Sequence, residues 1–287
     1  MTLYRQIIKQ LDRPGLRHIL GWAATAYARR KTGLDVHIFY NEAWTRQVGT
    51  CYLAASATFD WSSHDVAGWK KDLDEVLGLY RDYWFHRYKP KEGDVIVDIG
   101  AGIGDDAMVF SRAVGKQGRV LSVEAHPATF RLLQKNCRYN RLDNVTALHQ
   151  ALMDKTCTVS IGDRTNYQAN TISPFKNDRE SSHAVPACSF DELCAQQKIE
   201  HIDFLKMNIE GAERFAIQGM PRMIQHISRL CIACHDFIGE HNDFYRTKAL
   251  VIDFLRASGF EVSLREQHPD PWVRDHVHGT RVAEKTG

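Results

Sequence analysis

The sequence has no apolar run long enough to cross a bilayer as a helix. Its opening, MTLYRQIIKQLDRPG, lacks the continuous apolar core of a secretory signal, so a cytoplasmic location is expected. Neither sign of charge is in excess. Lys and Arg number 37 against 35 Asp and Glu, for a formal net charge of +2, which excludes a chain built globally to bind polyanions. Cysteine is sparse, odd in number at seven and scattered, which excludes a disulfide framework. The CIAC run ending in Cys234 has zinc-like spacing, but no second pair completes it. It also lies in a strand-like stretch, where residues three apart face opposite ways. Buried structural thiols are therefore expected, and no metal site. Internal repeats and low-complexity tracts are absent too. What remains is 287 residues, 44 % hydrophobic and 25 % charged, ordinary for a globular chain of one large or two small domains.

The chain divides at KPKEGD, residues 89–94. Residues 1–90 are expected to form an extension, helical at first and irregular later, and residues 91–287 the main domain. The first 31 residues are basic, with Arg5, Lys9, Arg13, Arg17, Arg29, Arg30 and Lys31 against one acid, Asp12. Leu3, Ile7, Ile8 and Leu11 repeat at helical spacing. A solvated helical cap is the favoured reading. The alternatives are a peripheral contact with an anionic membrane or lipid-linked substrate, or an oligomer contact. Residues 36–60 look strand-like, and 65–88 return to helical spacing with a trailing aromatic group, Tyr83, Trp84, Phe85 and Tyr88, expected in the core.

From DVIVDIG onward, strand and helix alternate. DDAMVFSRAVG reads as a helix, RVLSVEA as a strand, PATFRLLQKNCRYN as a helix and VTALHQAL as a strand. SFDELCAQQ is a helix capped by Ser189, with Glu192 at the capping-box position. IDFLKMNIEG is a strand, AERFAIQGMPRMI a helix, RLCIACHDF a strand and DFYRTKALVIDFLRASG a long helix. FEVSLRE and HGTRVAE close the chain. This rhythm predicts an α/β, Rossmann-like, mostly parallel seven-stranded sheet with a reversed C-terminal strand. The polar stretch from Asn166 to Ala184 is expected to act as a mobile lid or acceptor wall.

In such sheets the ligand sits at the carboxyl ends of the strands. In GAGIG the glycines let a ligand approach the backbone. A dinucleotide fingerprint needs G-x-G-x-x-G, but Asp105 stands where the third glycine belongs. Asp105 and Asp106 then fill the first helical turn, suiting the helix dipole and repelling a pyrophosphate. The cationic S-adenosylmethionine suits an acid-rich loop better. Glu124 ends the next strand about twenty residues on, where an acid accepts hydrogen bonds from ribose hydroxyls. That role serves either cofactor.

On the segments VIVDIGAGIG, VEAHPATFRLLQKNCRYNRLDNV, SFDELCAQQKIEHIDFLKMNIEGAERFAIQG and CHDF, the chain resembles the FkbM-type S-adenosylmethionine-dependent methyltransferases, over roughly residues 90–285. The resemblance implies the class I methyltransferase fold, with S-adenosylmethionine as cofactor. It implies that Asp98, Gly100, Ala101, Gly102 and Gly104 line the methionine part. Glu124 and Ala125 would hold the ribose side, and Ala151 would lie by the adenine. Lys206, Asn208 and Glu210 would face the reacting methyl, and His235 would match the family's histidine after the fifth strand. The family's usual aspartate is Asn208 here. An asparagine can position a hydroxyl but cannot serve as its base.

Methyl transfer is an in-line displacement at an already activated sulfonium, so the protein chiefly positions the nucleophile. A neutral hydroxyl must also lose its proton. His235 is the expected base, with Asp236 to orient it; a structurally satisfied histidine is the alternative. No metal is expected. Glu210, His235 and Asp236 would suit magnesium if any ion bound. The N/D-P-P-Y/F tetrad of amino-directed nucleic-acid enzymes is replaced by NIEG, and the Pro-Cys pair of cytosine-C5 enzymes is absent, so no nucleic-acid acceptor is expected. The resemblance implies O-methylation of a sugar, glycolipid or natural product. The alternatives are a nucleic-acid methyltransferase using the basic N-terminal arm, and a catalytically inactive S-adenosylmethionine-binding protein, the latter motivated by Asn208.

Overall fold

A computed structural model describes residues 3–59, 80–162, 182–238 and 243–282. Residues 65–79 of the helix expected over 65–88, and 166–181 of the expected lid, lie outside the described residues. The chain begins with α1 (Leu3–Leu11) and α2 (Arg17–Thr32), then β1 (Val36–Asn41), β2 (Ala43–Val48) and β3 (Cys51–Ser56). The main domain follows as β4 (Val95–Ile99), α3 (Asp105–Val114), β5 (Arg119–Glu124), α4 (Pro127–Tyr139), β6 (Val145–His149), β7 (Ala151–Leu152), β8 (Cys157–Gly162), β9 (Ser182–Cys188) and α5 (Phe190–Gln196). It ends with β10 (Ile202–Met207), α6 (Glu213–Ala216), β11 (Ile227–Ala233), α7 (Lys248–Ala257), β12 (Phe260–Leu264), α8 (Pro271–Arg274) and β13 (His276–Arg281).

Seven strands form the main sheet in the order β12-β13-β11-β10-β4-β5-β6. The reversed strand is β13, which inserts between β11 and β12 and runs antiparallel to both. The order changes direction at β4, and the loops after β4 and β10 flank the crevice where this sheet class binds ligands. Both faces are covered, so the central strands carry apolar residues toward each side. Val97, Ile99, Leu205 and Met207 pack with Leu193 and Ile217 on one face. Ile96 and Phe204 pack with Phe110, Trp84, Phe85 and Tyr88 on the other. Each such side chain contributes about 1.5–3 kcal/mol by leaving water. Trp84, Phe85 and Tyr88 are thus core, as expected, while Tyr83 is only partly buried, and the group reaches the main sheet from a segment placed before the expected boundary.

The strand-like stretch expected over 36–60 is formed by strands. Residues 36–56 form a three-stranded antiparallel sheet, β1-β2-β3. This sheet docks on α4 through two asparagines one turn apart. Asn136 Oδ1 accepts from Ala54 N at 2.6 Å and its Nδ2 donates to Ala54 O at 3.0 Å. Asn140 makes the same pair with Tyr52, at 2.8 and 2.7 Å. Because Tyr52 and Ala54 expose backbone groups on one edge of β3, the two amides act as a substitute strand. Outward, α2 exposes Ile19, Trp22 and Tyr27, with Trp22 74 % exposed, beside Arg29, Arg30 and Lys31.

Several boundaries differ from expectation for physical reasons. The expected strand over 145–152 divides at Gln150, and Ala151–Leu152 pairs instead with β9. The expected helix from Ala212 stops at Ala216. Pro221 has no N–H to continue it, and Gly219 sits where a Cβ would meet Met153 O at 2.2 Å. Ser189 caps α5 by accepting from Glu192 N at 3.2 Å. Glu192, however, turns to Thr156 and Gln196 rather than closing the box. The long helix before Gly259 is shorter, opening at Lys248.

Candidate active site

A cavity of about 730 Å³ lies along the carboxyl ends of the sheet. Gly100, Ala101 and Gly102 of the glycine loop form its floor, with Glu124, Ala125, His126, Gln150 and Ala151 toward one end. Lys206, Asn208 and Glu210 stand in the middle, and Tyr83, His268, Asp270 and Trp272 wall the other end. The structure therefore brings together most of the residues that the sequence singled out. Asp98 and Gly104 lie beneath the loop rather than on the cavity surface. Gly104 opens α3 with φ +91°, and a Cβ there would meet Leu133 Cδ1 at 2.6 Å.

Glu124 ties the first two loops together. Its Oε2 accepts from Gly102 N at 2.9 Å and its Oε1 from His126 N at 2.8 Å. Each carboxylate oxygen has a second lone pair, enough for two vicinal hydroxyls of a ribose. Burial pushes the Glu124 carboxyl up to about 7, against the two amides that favour its charge. Asp82, Asp105, Asp106, Glu210 and Asp270 also line the cavity, with Lys206 as the lining's one Lys or Arg among the described residues. This donor set fits a cationic nucleoside such as S-adenosylmethionine and opposes a pyrophosphate.

Lys206 is committed inward. Its Nζ lies 2.9 Å from Asp98 Oδ1 and 3.1 Å from Asp106 Oδ2, and it donates to Gly100 O at 2.8 Å. Asp106 also takes hydrogen bonds from the Tyr80 hydroxyl and Trp84 Nε1. One ammonium thus fixes the glycine loop, the first turn of α3 and the end of β10. Gly100 is held tightly as well: with φ +77°, a Cβ there would lie 1.9 Å from Asn208 O.

The loop after β10 is shaped by Glu213, a residue the sequence reading did not single out. It is fully buried and accepts from Ile209 N at 3.0 Å and Gly211 N at 2.8 Å. That loop places Glu210 at φ +55°, on the cavity surface. His235 is 2 % exposed and lies behind it, with Nδ1 3.0 Å from Glu210 Oε2 and its ring edge-on to Trp272 at 4.9 Å. Burial alone would lower its pKa. The hydrogen bond and charge of Glu210, then Glu213 and Asp275, outweigh burial and raise it. Asp236, expected to orient His235, instead accepts from Thr247 N and Lys248 N at the start of α7. The wall of Tyr83, His268, Asp270 and Trp272 was also missed. For three of the four the signal was the HPDPW run before the last strand, an acid between two prolines and an indole after them.

The chain is similar to several known methyltransferases. The chain is 26 % identical over 145 residues to the hexuronic acid methyltransferase AglP of Haloferax volcanii, covering 50 % of this chain and 57 % of that relative. A crystal structure of Methyltransferase FkbM from Methylobacillus flagellatus superposes with a TM-score of 0.50 at 19 % identity, over 78 % of this chain and 55 % of that one. The fibrillarin of Aeropyrum pernix, solved with S-adenosyl-L-methionine, matches more loosely, with a TM-score of 0.41 and 19 % identity over 73 % of this chain and 74 % of its own. The chain thus spans little more than half the length of the first two. The Methyltransferase FkbM domain matches residues 98–262, more than half of the sequence, and its span runs from the aspartate under the glycine loop to β12. With a class I methyltransferase sheet and these site residues in place, the chain belongs to the FkbM methyltransferase family.

Proposed function

We propose that the protein transfers a methyl group from S-adenosylmethionine to a hydroxyl of a sugar, free or lipid-linked, with Glu210 as the base. The cofactor supplies the activated methyl. The observation that carries the reading is Glu210 itself: it reaches the cavity while His235 holds its carboxylate from behind. The base role expected of His235 passes to Glu210, because His235 does not line the cavity and carries a raised pKa. Asn208 stands beside it to position the hydroxyl, as an amide can. Displacement joins the acceptor oxygen to the methyl carbon and releases the sulfur as a neutral thioether. The hydroxyl proton passes to Glu210.

The acceptor end supports a sugar. Trp272 and Tyr83 offer faces for apolar C–H surfaces, and Asp270 offers a hydroxyl acceptor, while Asp82 is held by Arg265 and His268. The excess of acids there disfavours a carboxylate as nucleophile. The likeness to a hexuronic acid methyltransferase supports the same substrate class. Exposed Ile19 and Trp22, with Arg30 on the same helix, support a lipid-linked form.

The test is transfer of labelled methyl from S-adenosylmethionine to glycan, glycolipid and RNA fractions of a host extract. Label in the first two, removed by glycosidases, is expected. Label released by ribonuclease alone would instead support a nucleic-acid acceptor. Glu210→Gln is expected to lower turnover by about 10²–10⁴ and cofactor affinity by far less, since the other acids of the lining remain.

A further inference from the structure

Behind the site, on the sheet face that holds Trp84, three metal-ligating side chains meet. Cys231 of β11 lies directly opposite His278 of β13 in the antiparallel register. His276 lies two residues before His278 and so shares its face. One donor atom from each of the three lies within 4.8 Å of the others, and their residues are 0 %, 2 % and 1 % exposed in that order. From this convergence we infer a structural zinc site built by Cys231, His276 and His278, and we assign the fourth donor to His86 on its ring's approach to His278, 5.2 Å between centroids.

The imidazoles are prepared for it. His276 Nδ1 is 3.2 Å from Tyr83 O, which fixes the tautomer with a proton on Nδ1 and a lone pair on Nε2. A carbonyl behind a ligating histidine is the usual outer support of such sites. His276 also stacks on Trp84 at 4.7 Å and 10°, so its ring plane is set. His278 Nε2 is buried with no hydrogen-bond partner among the described residues, an orphan that a ligand would satisfy. Rings bound to one tetrahedral ion at zinc–nitrogen distances of about 2.0–2.1 Å hold their centroids about 5 Å apart. The His86 and His278 centroids are 5.2 Å apart, and those of His276 and His278 are 5.9 Å apart. His86 is exposed and provides the entry path.

One thiolate and imidazole nitrogens select zinc over the oxygen-seeking cations. Binding requires the buried Cys231 thiol to give its proton to solvent, as zinc–sulfur coordination does elsewhere. The ion would join β11 and β13 to the 80–88 segment, whose Tyr83 and Trp84 wall the acceptor end. The CIAC spacing plays no part: Cys231 packs among Trp84 and Phe204, and Cys234 packs with Met220 and Val251 on the opposite face.

The full chain, stripped by chelator and titrated with cobalt(II), tests this. A near-ultraviolet thiolate-to-cobalt band, with visible bands of tetrahedral intensity at one cobalt per chain, is expected, and zinc should displace them. Cys231→Ser should abolish the thiolate band and Cys234→Ser should keep it. His86→Ala, an exposed change that spares the fold, should weaken cobalt binding at least about tenfold. If Cys231→Ser fails to fold by circular dichroism, the wild-type spectrum and the Cys234→Ser and His86→Ala arms still decide. No thiolate band in the wild type, or its loss in Cys234→Ser, overturns the site. Unchanged affinity in His86→Ala overturns the fourth donor.

Discussion

Lys206 and Asp98 are paired residues on adjacent parallel strands, and their charged ends meet at 2.9 Å with 1 % and 0 % of the side chains exposed. Asp106 joins them at 3.1 Å, so one buried cation serves two acids. Burial pushes Asp98 up to about 6, with Lys206 opposing the shift and Asp106 adding to it. Removing the cation would leave uncompensated buried charge. Lys206→Met is therefore expected to cost about 3–5 kcal/mol in denaturant unfolding at pH 7. Without the cation Asp98 would take up its proton at higher pH still, so the deficit should narrow as pH falls toward 6 and level off below it. A deficit independent of pH would show that the loss is one of packing.

Glu124 gives a pH signature. Its folded pKa, about 7, lies above the unfolded carboxyl value of about 4.3. Between the two the folded state binds more protons, so this group's contribution makes stability fall as pH rises through the window. Cofactor binding runs the other way, because ribose hydroxyls donate to the ionised form. S-adenosylmethionine affinity should rise with pH toward and past 7. In Glu124→Gln that rise should vanish, and affinity should drop by about 1.5–3 kcal/mol, the range for hydrogen bonds to a charged group. Calorimetry at pH 6, 7 and 8 on both proteins checks the difference.

His235 should act through Glu210. Its pKa is raised in the fold, against burial, chiefly by Glu210. The stability it adds is complete below the unfolded value of about 6.5 and is lost as pH rises through the higher folded value. His235→Ala should cost about 1.5–3 kcal/mol at pH 6 and distinctly less at pH 9. Turnover should fall because Glu210 loses its orientation, and His235→Gln, which keeps a donor, should recover part of it. Equal stability losses at both pH values would separate His235 from Glu210.

How much of this was legible in sequence follows from the range of the interactions. The strand–loop–helix at residue 95 onward, the Glu124 strand end and the reversed last strand rest on local periodicity and turn chemistry, and the structure places them as expected. Burial behind a loop is not local. His235 reads as reachable until Glu210, turned outward at φ +55°, stands in front of it. Register is not local either: Cys231 meets His278 only because β13 inserts beside β11. The helix expected from Ala212 tightens to a 3-10 turn over Ile217–Gly219 and ends there, where Gly219 packs against Met153 O, a contact across more than sixty positions of the sequence. Lys206 carried a signal that was misdirected: a lysine inside an apolar strand is buried, and a buried lysine requires acids, here Asp98 and Asp106.

The Asn136 amide gives the last prediction, because its role is structural and separable from the chemistry. It is fully buried and makes three hydrogen bonds, two to the backbone of Ala54 and one from Nδ2 to Ile103 O at 2.8 Å. Asn136→Ala leaves the Ala54 N–H and two carbonyls unpaired in a dry contact, and one such group costs about 1–3 kcal/mol. Asn136→Asp keeps an acceptor for Ala54 N but offers the carbonyls no donor, and it buries a charge. Both variants should unfold at lower denaturant than wild type, with Asn136→Asp the worse of the two. Asn140→Ala, half-buried one turn on, should lose less. Hydrogen exchange at Tyr52 and Ala54 should rise in each case while the main sheet stays protected. Exchange that rises across the main sheet instead would mean that β1-β3 and the methyltransferase domain unfold as one unit.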